Sequence, residues 1–247
     1  DFGLDFGTQA GDGLKVVDVN YVRQFGDLTL AIGDSYKISK QFDGACAYSG
    51  FTTHLSDCGT GASAGVGGDV TLAGNYDLGN GITVGAGISG LGGSSAQGLF
   101  TKESSDVYAL QVAYAADSYG AAISYSNNDT PTTDTTYLGI NGYYTFGTVI
   151  DSISAGYEIG DPSDTTGDTS NWFAGITTTE IGSGAINIGI GTSSHTTETA
   201  TDLYMYEVSY GWDVNDSMAA SVGVYQEERA TGSDSLTGIV ATTTFSF

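Results

Sequence analysis

His54 and His195 are the only histidines in the 247 residues, and both fall in stretches dense in Ser, Thr and Gly. His195 has Ser193, Ser194 and Glu198 close by, the residue types of a nucleophile, its base and an orienting carboxylate. A hydrolase of that kind needs the imidazole on a rigid wall beside the serine. Hydroxyls are abundant everywhere in this chain, so their proximity carries no weight, and His195 reads as a solvated loop residue. The segment "GDPSDTTGD" offers Asp161, Asp164 and Asp168 as oxygen ligands, but it lacks the ligand order of an EF-hand and reads as an acidic loop. The glycine clusters "GTGASAGVGG" and "SGLGGSS" adjoin strand patterns and open no helix, which excludes phosphate-binding loops. Cys46 and Cys58 match no common zinc spacing; they read as a loop disulfide formed in an oxidising compartment, or else as two thiols. No catalytic, metal or cofactor constellation emerges, and the chain is expected not to be an enzyme.

The elements that must position any site are strands. Glycine is 38 of 247 residues against 2 Pro, while 16 Tyr and 10 Phe accompany a 40% hydrophobic content. That excludes collagen and is too apolar for a disordered linker. No apolar stretch approaches the roughly 20 residues of a membrane helix. Six Lys and Arg against 29 Asp and Glu give a net charge of −23, which excludes a nucleic-acid partner because phosphate binding rests on basic residues. The chain opens in a strand pattern at Asp1 with neither Met nor leader, so a removed signal peptide or further N-terminal sequence is expected.

Short alternating segments recur along the chain, separated in turn by tight and by long connections. The tight ones include Gly26-Asp27, "DLGNG" from Asp77 and "DVNDS" from Asp213, whose Gly, Asn and Asp suit hairpin turns. The long ones include 37–68, 91–104 and 160–169. At about 9 to 11 residues per tilted spanning strand, the pattern predicts about 14 strands.

Aromatic residues mark the two ends of these strands. Phe25, Tyr76, Tyr114, Phe146, Trp212 and Phe247 fall at the tight-turn rim, and Tyr36, Tyr108, Tyr125, Tyr157 and Tyr204 toward the long-loop rim. Two aromatic belts bracketing an aliphatic band are the signature of a barrel crossing a bilayer. The alternative is a soluble sandwich, with the same alternation facing a core. In "DLYMYEVSYGW", Tyr204, Tyr206, Val208, Tyr210 and Trp212 share one face while Glu207 and Ser209 share the other. In "GIVATTTFSF", Ile239, Ala241 and Phe245 are expected to face lipid, with Phe247 in the belt.

The stretches "LYMYEVSYGWDVNDSMAASVGVY" and "TGIVATTTFSF", with the paired-cysteine loop "CAYSGFTTHLSDCG", resemble outer-membrane general porins, and among them most closely the cyanobacterial ones. The resemblance implies an all-β, transmembrane antiparallel β-barrel with short periplasmic turns and long outer loops, in the outer membrane of a Gram-negative-type bacterium. It also implies 16 strands rather than 14, an additional N-terminal periplasmic surface-layer-homology domain, a homotrimer, and a terminal phenylalanine read by the outer-membrane assembly machinery. The whole of 1–247 is expected to form one barrel. Segment 37–68 would fold into the lumen as the constriction, carrying Lys37, Lys40, Asp43 and Asp57 beside Cys46 and Cys58; the alternative leaves it on the outer surface.

Lumen-facing positions are then Asp5, Asp18, Asn20, Gln111, Asn141, Glu158 and Glu207, polar groups expected to line water in a barrel too wide to fill with wall side chains alone. The function expected is passive diffusion of ions and small hydrophilic solutes, weakly selective for cations because carboxylates outnumber bases along the path. The rival readings are a channel specific for one solute and a barrel acting through its loops as an adhesin or receptor. The partners expected are outer-membrane lipid, inorganic ions and small hydrophilic solutes.

Overall fold

The computed structural model describes residues 2–8, 14–52, 55, 57–65, 67–91, 98–101, 104–164, 167–178, 181–192, 196–197, 202–229 and 234–245; at 2–8, 14, 15, 17 and 196–197 it describes the backbone alone. The strands are β1 (Phe2–Thr8), β2 (Leu14–Phe25), β3 (Leu28–Asp34), β4 (Val70–Gly79), β5 (Ile82–Leu91), β6 (Ser105–Ala115), β7 (Tyr119–Asp129) and β8 (Asp134–Thr145). They continue with β9 (Ile150–Pro162), β10 (Thr169–Thr178), β11 (Gly184–Thr192), β12 (Thr196–Thr197), β13 (Tyr204–Asn215), β14 (Met218–Glu227) and β15 (Leu236–Phe245). Each strand pairs antiparallel with its neighbour in sequence, except that the two-residue β12 pairs with β10 and leaves β11 beside β13. The fold is therefore an all-β antiparallel meander, with fourteen strands on its main path. Among the described residues, no helix is long and apolar enough to cross a membrane.

Tight turns close alternate hairpins where the sequence supplies left-handed backbone. Between β4 and β5, Gly79, Asn80 and Gly81 have φ of 78°, 55° and 78°, and the Gly79 amide donates to Asp77 Oδ1 at 2.7 Å. Glycine and asparagine adopt this region at little cost, so the strands can reverse in a short loop.

One face of the sheet is aliphatic and exposed. Val208 is 44% exposed and lies in register between Ile188 and Val224, which are 47% and 49% exposed. Leu30, Ile32, Leu72, Leu110, Ile123, Ile140 and Ile239 continue this surface. A soluble sandwich would bury that face, so the sandwich alternative fails on it. The opposite face is polar and buried: Gln111, Ser124, Asn141, Ser154, Glu158, Glu207 and Ser209 all lie there.

What buries the polar face is segment 37–68. Lys40 reaches Asp18 on β2, while Phe51 reaches Tyr225 on β14. The segment thus crosses one face of the sheet from β2 to β14. A fourteen-strand antiparallel meander with its aliphatic face outward and its polar face covered by a single segment has the strand pattern of a barrel, and the loop-covered face is its inside.

Aromatic rings collect at the rims. At the tight-turn end Phe25, Tyr76, Tyr114 and Phe146 are exposed, joined by ring pairs Tyr114–Tyr119 at 5.8 Å, Tyr144–Phe146 at 4.8 Å and stacked Tyr210–Trp212 at 5.5 Å. Phe247 lies outside the described residues. At the other rim Tyr108, Tyr125 and Tyr157 are exposed, but Tyr36 is 3% exposed. Tyr36 follows the end of β3 and turns inward, where Gln41 Nε2 donates to its hydroxyl at 2.6 Å. Strand alternation stops there, which is why counting in twos misplaced it.

Candidate functional site: an inner loop and the space it leaves

The loop leaves β3 through a 3-10 turn, Ile38–Gln41, and runs along the inner wall as a flattened hairpin. On the outward leg the Ala45 amide donates to Asn141 Oδ1 at 3.1 Å and the Ala47 amide to Ser154 Oγ at 3.0 Å. Tyr48 then donates its hydroxyl to Glu207 Oε1 at 2.6 Å, and the Thr52 amide donates to Glu207 Oε2 at 3.0 Å. On the return leg Asn171 donates to the Gly59 carbonyl at 3.3 Å, Asn141 to Thr60 Oγ1 at 2.8 Å and Ser126 to the Ala62 carbonyl at 2.6 Å. The Ser63 amide donates to Glu158, and the Gly68 amide to Ser89. Seven of the loop's backbone donors and acceptors are thus satisfied by wall side chains, the kind of partner that buried irregular backbone requires.

Three small apolar clusters add to these bonds. Tyr48, Leu55 and Cys58 meet Phe173 and Met205; Ile38 and Phe42 meet Ala73, Val107 and Ala109; Ala45 meets Ala113, Ala122 and Tyr143. Cys46 and Cys58 form a disulfide with Cα atoms 6.1 Å apart. Closing a ring of this size lowers the entropy of the unfolded chain by an amount equivalent to about 3 kcal/mol of stability. Burial holds the Tyr48 phenol well above its usual range, helped by its hydrogen bond to Glu207 and that carboxylate's charge. Tyr48 therefore remains a donor throughout the neutral range.

Glycine in the wall makes room for the loop. A Cβ on Gly156 would collide with the Cys58 carbonyl, and one on Gly189 with the Tyr48 hydroxyl. Gly156→Val is expected to cost about 1–3 kcal/mol, because the backbone carbonyl cannot step aside as a side chain could. Ala155→Val, on the outward face, serves as the control. Urea unfolding of the two variants checks this, and equal midpoints would contradict the close approach.

The inward polar residues thus lie on the expected face in a different environment. Glu158 is 0% exposed and Glu207 1%, while Asp18, Gln111 and Asn141 are also buried. They do not line water: Asn141, Glu158 and Glu207 hold the loop, and Asp18 is bonded to Lys40 Nζ at 2.7 Å and to Asn20 Nδ2 at 2.9 Å. Asn20 is half-buried. Alternation showed which residues share a face but not what covers it. Asp5 pairs with Asp18 in register; its side chain lies outside the described residues.

Of the four charges expected at a constriction, Lys37, Asp43 and Asp57 are exposed, and Lys40 is engaged by Asp18 with 43% of its side chain accessible. Asp43 and Asp77 share a cavity of about 400 Å³ near the tight-turn rim with Ala113 and Tyr143. A second cavity, about 590 Å³, separates the loop tip at 49–51 from β11, β13, β14 and β15. Sequence reasoning missed the glycine seats and Tyr48. The signal available was the recurrence of Gly at inward positions, as at Gly139, Gly156, Gly175, Gly189 and Gly223. His54, His195, Ser193, Ser194 and Glu198 lie outside the described residues. Among the described residues no group of three His, Cys, Asp or Glu side chains is placed to hold a metal ion.

No protein-family model matches this sequence, and no curated protein sequence matches it. Solved structures do. The chain aligns over 99% of its length with 84% of a loop-deletion mutant of OmpT, an outer membrane protein of Vibrio cholerae, at 16% identity and a TM-score of 0.71. An anion-selective porin from Comamonas acidovorans aligns over 95% of this chain and 79% of its own, at 14% identity and a TM-score of 0.67. A triple mutant of the Rhodopseudomonas blastica porin aligns over 97% and 80%, at 12% identity and a TM-score of 0.59. These likenesses establish the porin-barrel fold.

Proposed function

We propose that the chain is a passive diffusion channel of a Gram-negative-type outer membrane, admitting ions and small hydrophilic solutes. The observation that carries this reading is the loop itself. It is fastened across the inner wall from β2 to β14, and cavities remain beside it. A loop built to seal the barrel would fill that space, so the arrangement favours narrowing over closure and a pore over a purely adhesive barrel. Irregular backbone at membrane depth is stable only in such a protein-lined interior. No turnover is involved: passage is governed by size at the narrowed section and by fixed charge.

The selectivity proposed is modest and cationic, but its carriers differ from the first expectation. Glu158 and Glu207 are buried, so the field falls to Asp43 and Asp57 on the loop and to Asp77, Asp213 and Asp216 near the tight-turn mouth. The opposing charges are Lys37 and Lys40, the latter partly neutralised by Asp18. Changing both lysines to Gln removes two positive charges and releases the Asp18 carboxylate, so cation preference should rise. Reversal potentials under a KCl gradient check this. The preference should fade as salt rises, since screening shortens to about 3 Å at 1 M. Anion selectivity at low salt would overturn the assignment.

The same reading includes assembly as a homotrimer, recognition of the C-terminal strand by the outer-membrane assembly machinery, and origin in a cyanobacterial-type envelope. Its support is the sequence resemblance together with the fold.

A further inference from the structure

The 590 Å³ cavity is a recess in the inner wall with a defined chemistry. Its floor comprises Ala185, Gly211 and Ala219, neighbouring inward positions on β11, β13 and β14 whose side chains are no larger than a methyl group. Around that floor stand Asn187, Ser209, Ser221 and Thr242, with Asp213 toward the tight-turn rim. Ser221 and Thr242 share a hydrogen bond of 2.6 Å, and Asn187 accepts one from Thr177 at 2.8 Å. These contacts fix the groups and leave further donor or acceptor capacity on each.

Phe51 closes the side opposite the wall. The ring is held by its surroundings: one edge rests on Gly223, where a Cβ would collide with it, and Tyr225 meets it edge-on at 6.1 Å. Among the described residues lining the recess there is no Lys, Arg or His. A phosphate or carboxylate entering it would therefore meet Asp213 with no compensating cation, an arrangement that discriminates against anions.

We propose that this recess is a binding subsite for an uncharged, polyhydroxylated solute of monosaccharide size. Sugar hydroxyls both donate and accept, matching Ser, Thr and Asn side chains that do the same. The C–H face of a sugar ring packs against an aromatic ring, and Asp213 can accept from its hydroxyls. The volume falls in the range of small-molecule sites and leaves space for water around a single sugar ring. The subsite rests on the channel reading for how solute reaches it, but binding itself requires only the folded chain. In a pore, weak affinity is the useful kind, because a solute must leave as readily as it enters.

The test is saturation-transfer NMR on the detergent-folded full chain, titrated with D-glucose and, separately, with D-gluconate. Saturable glucose binding is expected, with gluconate about tenfold weaker. Phe51→Leu and Thr242→Val should each weaken glucose about tenfold, the factor associated with one lost contact of hydrogen-bond size. Thr242→Val is nearly isosteric and guards against a folding artefact, and far-UV circular dichroism verifies the fold of both. Non-saturable glucose binding, equal binding of gluconate, or unchanged affinity in both variants would overturn the subsite. Planar-bilayer recording separates the two proposals: conduction without saturable glucose binding removes the subsite and leaves the channel. Saturable binding by a folded chain that never conducts does the reverse.

Discussion

Glu207→Ala is expected to give the largest loss of any single change inside the barrel. The carboxylate is 1% exposed and accepts from both the Tyr48 hydroxyl and the Thr52 amide. Truncation leaves two buried donors unsatisfied, which should cost about 3 kcal/mol or more. Glu207→Gln keeps one acceptor for Tyr48 but turns an amide N–H toward the Thr52 N–H, so an intermediate loss is expected. The functional mark should be a noisier open state, because the loop tip from Tyr48 to Thr52 would lose its fastening to the far wall. Unfolding midpoints ordered parent, Gln, Ala, with current noise in the reverse order, would bear this out. An Ala variant as stable and as quiet as the parent would show that the loop is held elsewhere.

The second large effect belongs to the outer face. Val208→Arg places a charge among Ile188 and Val224, at a cost of about 2–4 kcal/mol at the bilayer midplane. One residue on, Ser209 faces the 590 Å³ cavity, so Ser209→Arg has water and space to enter. Refolding into lipid vesicles should fail or slow for Val208→Arg and proceed for Ser209→Arg, with the latter's conductance reduced. Equal refolding of the two would reverse the faces assigned to β13 and, through the register, to its neighbours.

Much of this was legible in the sequence for a physical reason. A strand has a period of two, so "YMYEVSYGW" separates Val208 from Ser209 without further information. Gly and Asn at the turns need positive φ, so the hairpin at Asn80-Gly81 announces itself. The rim position of Phe25, Tyr76, Tyr114 and Phe146 follows from counting along each strand. The interior was not legible in the same way. The contacts between Tyr48 and Glu207 and between Ser63 and Glu158 join residues 159 and 95 positions apart, and no local pattern encodes such a pairing. Hence Glu158 and Glu207, expected to face water, are buried by loop residues instead. Tyr36 was misplaced because the strand ends at Asp34 and alternation no longer governs its direction. The glycines at 156, 175 and 189 were visible in the composition, but their purpose becomes clear only once the loop lies against them.

A route that stays open beside a loop fixed across the inner wall from β2 to β14 should carry ionic current. Single-channel recording of the folded protein in a planar lipid bilayer tests it most directly. Discrete, long-lived conductance steps that scale with KCl concentration at high salt are expected. Folded, membrane-inserted protein that remains electrically silent across that range would contradict it.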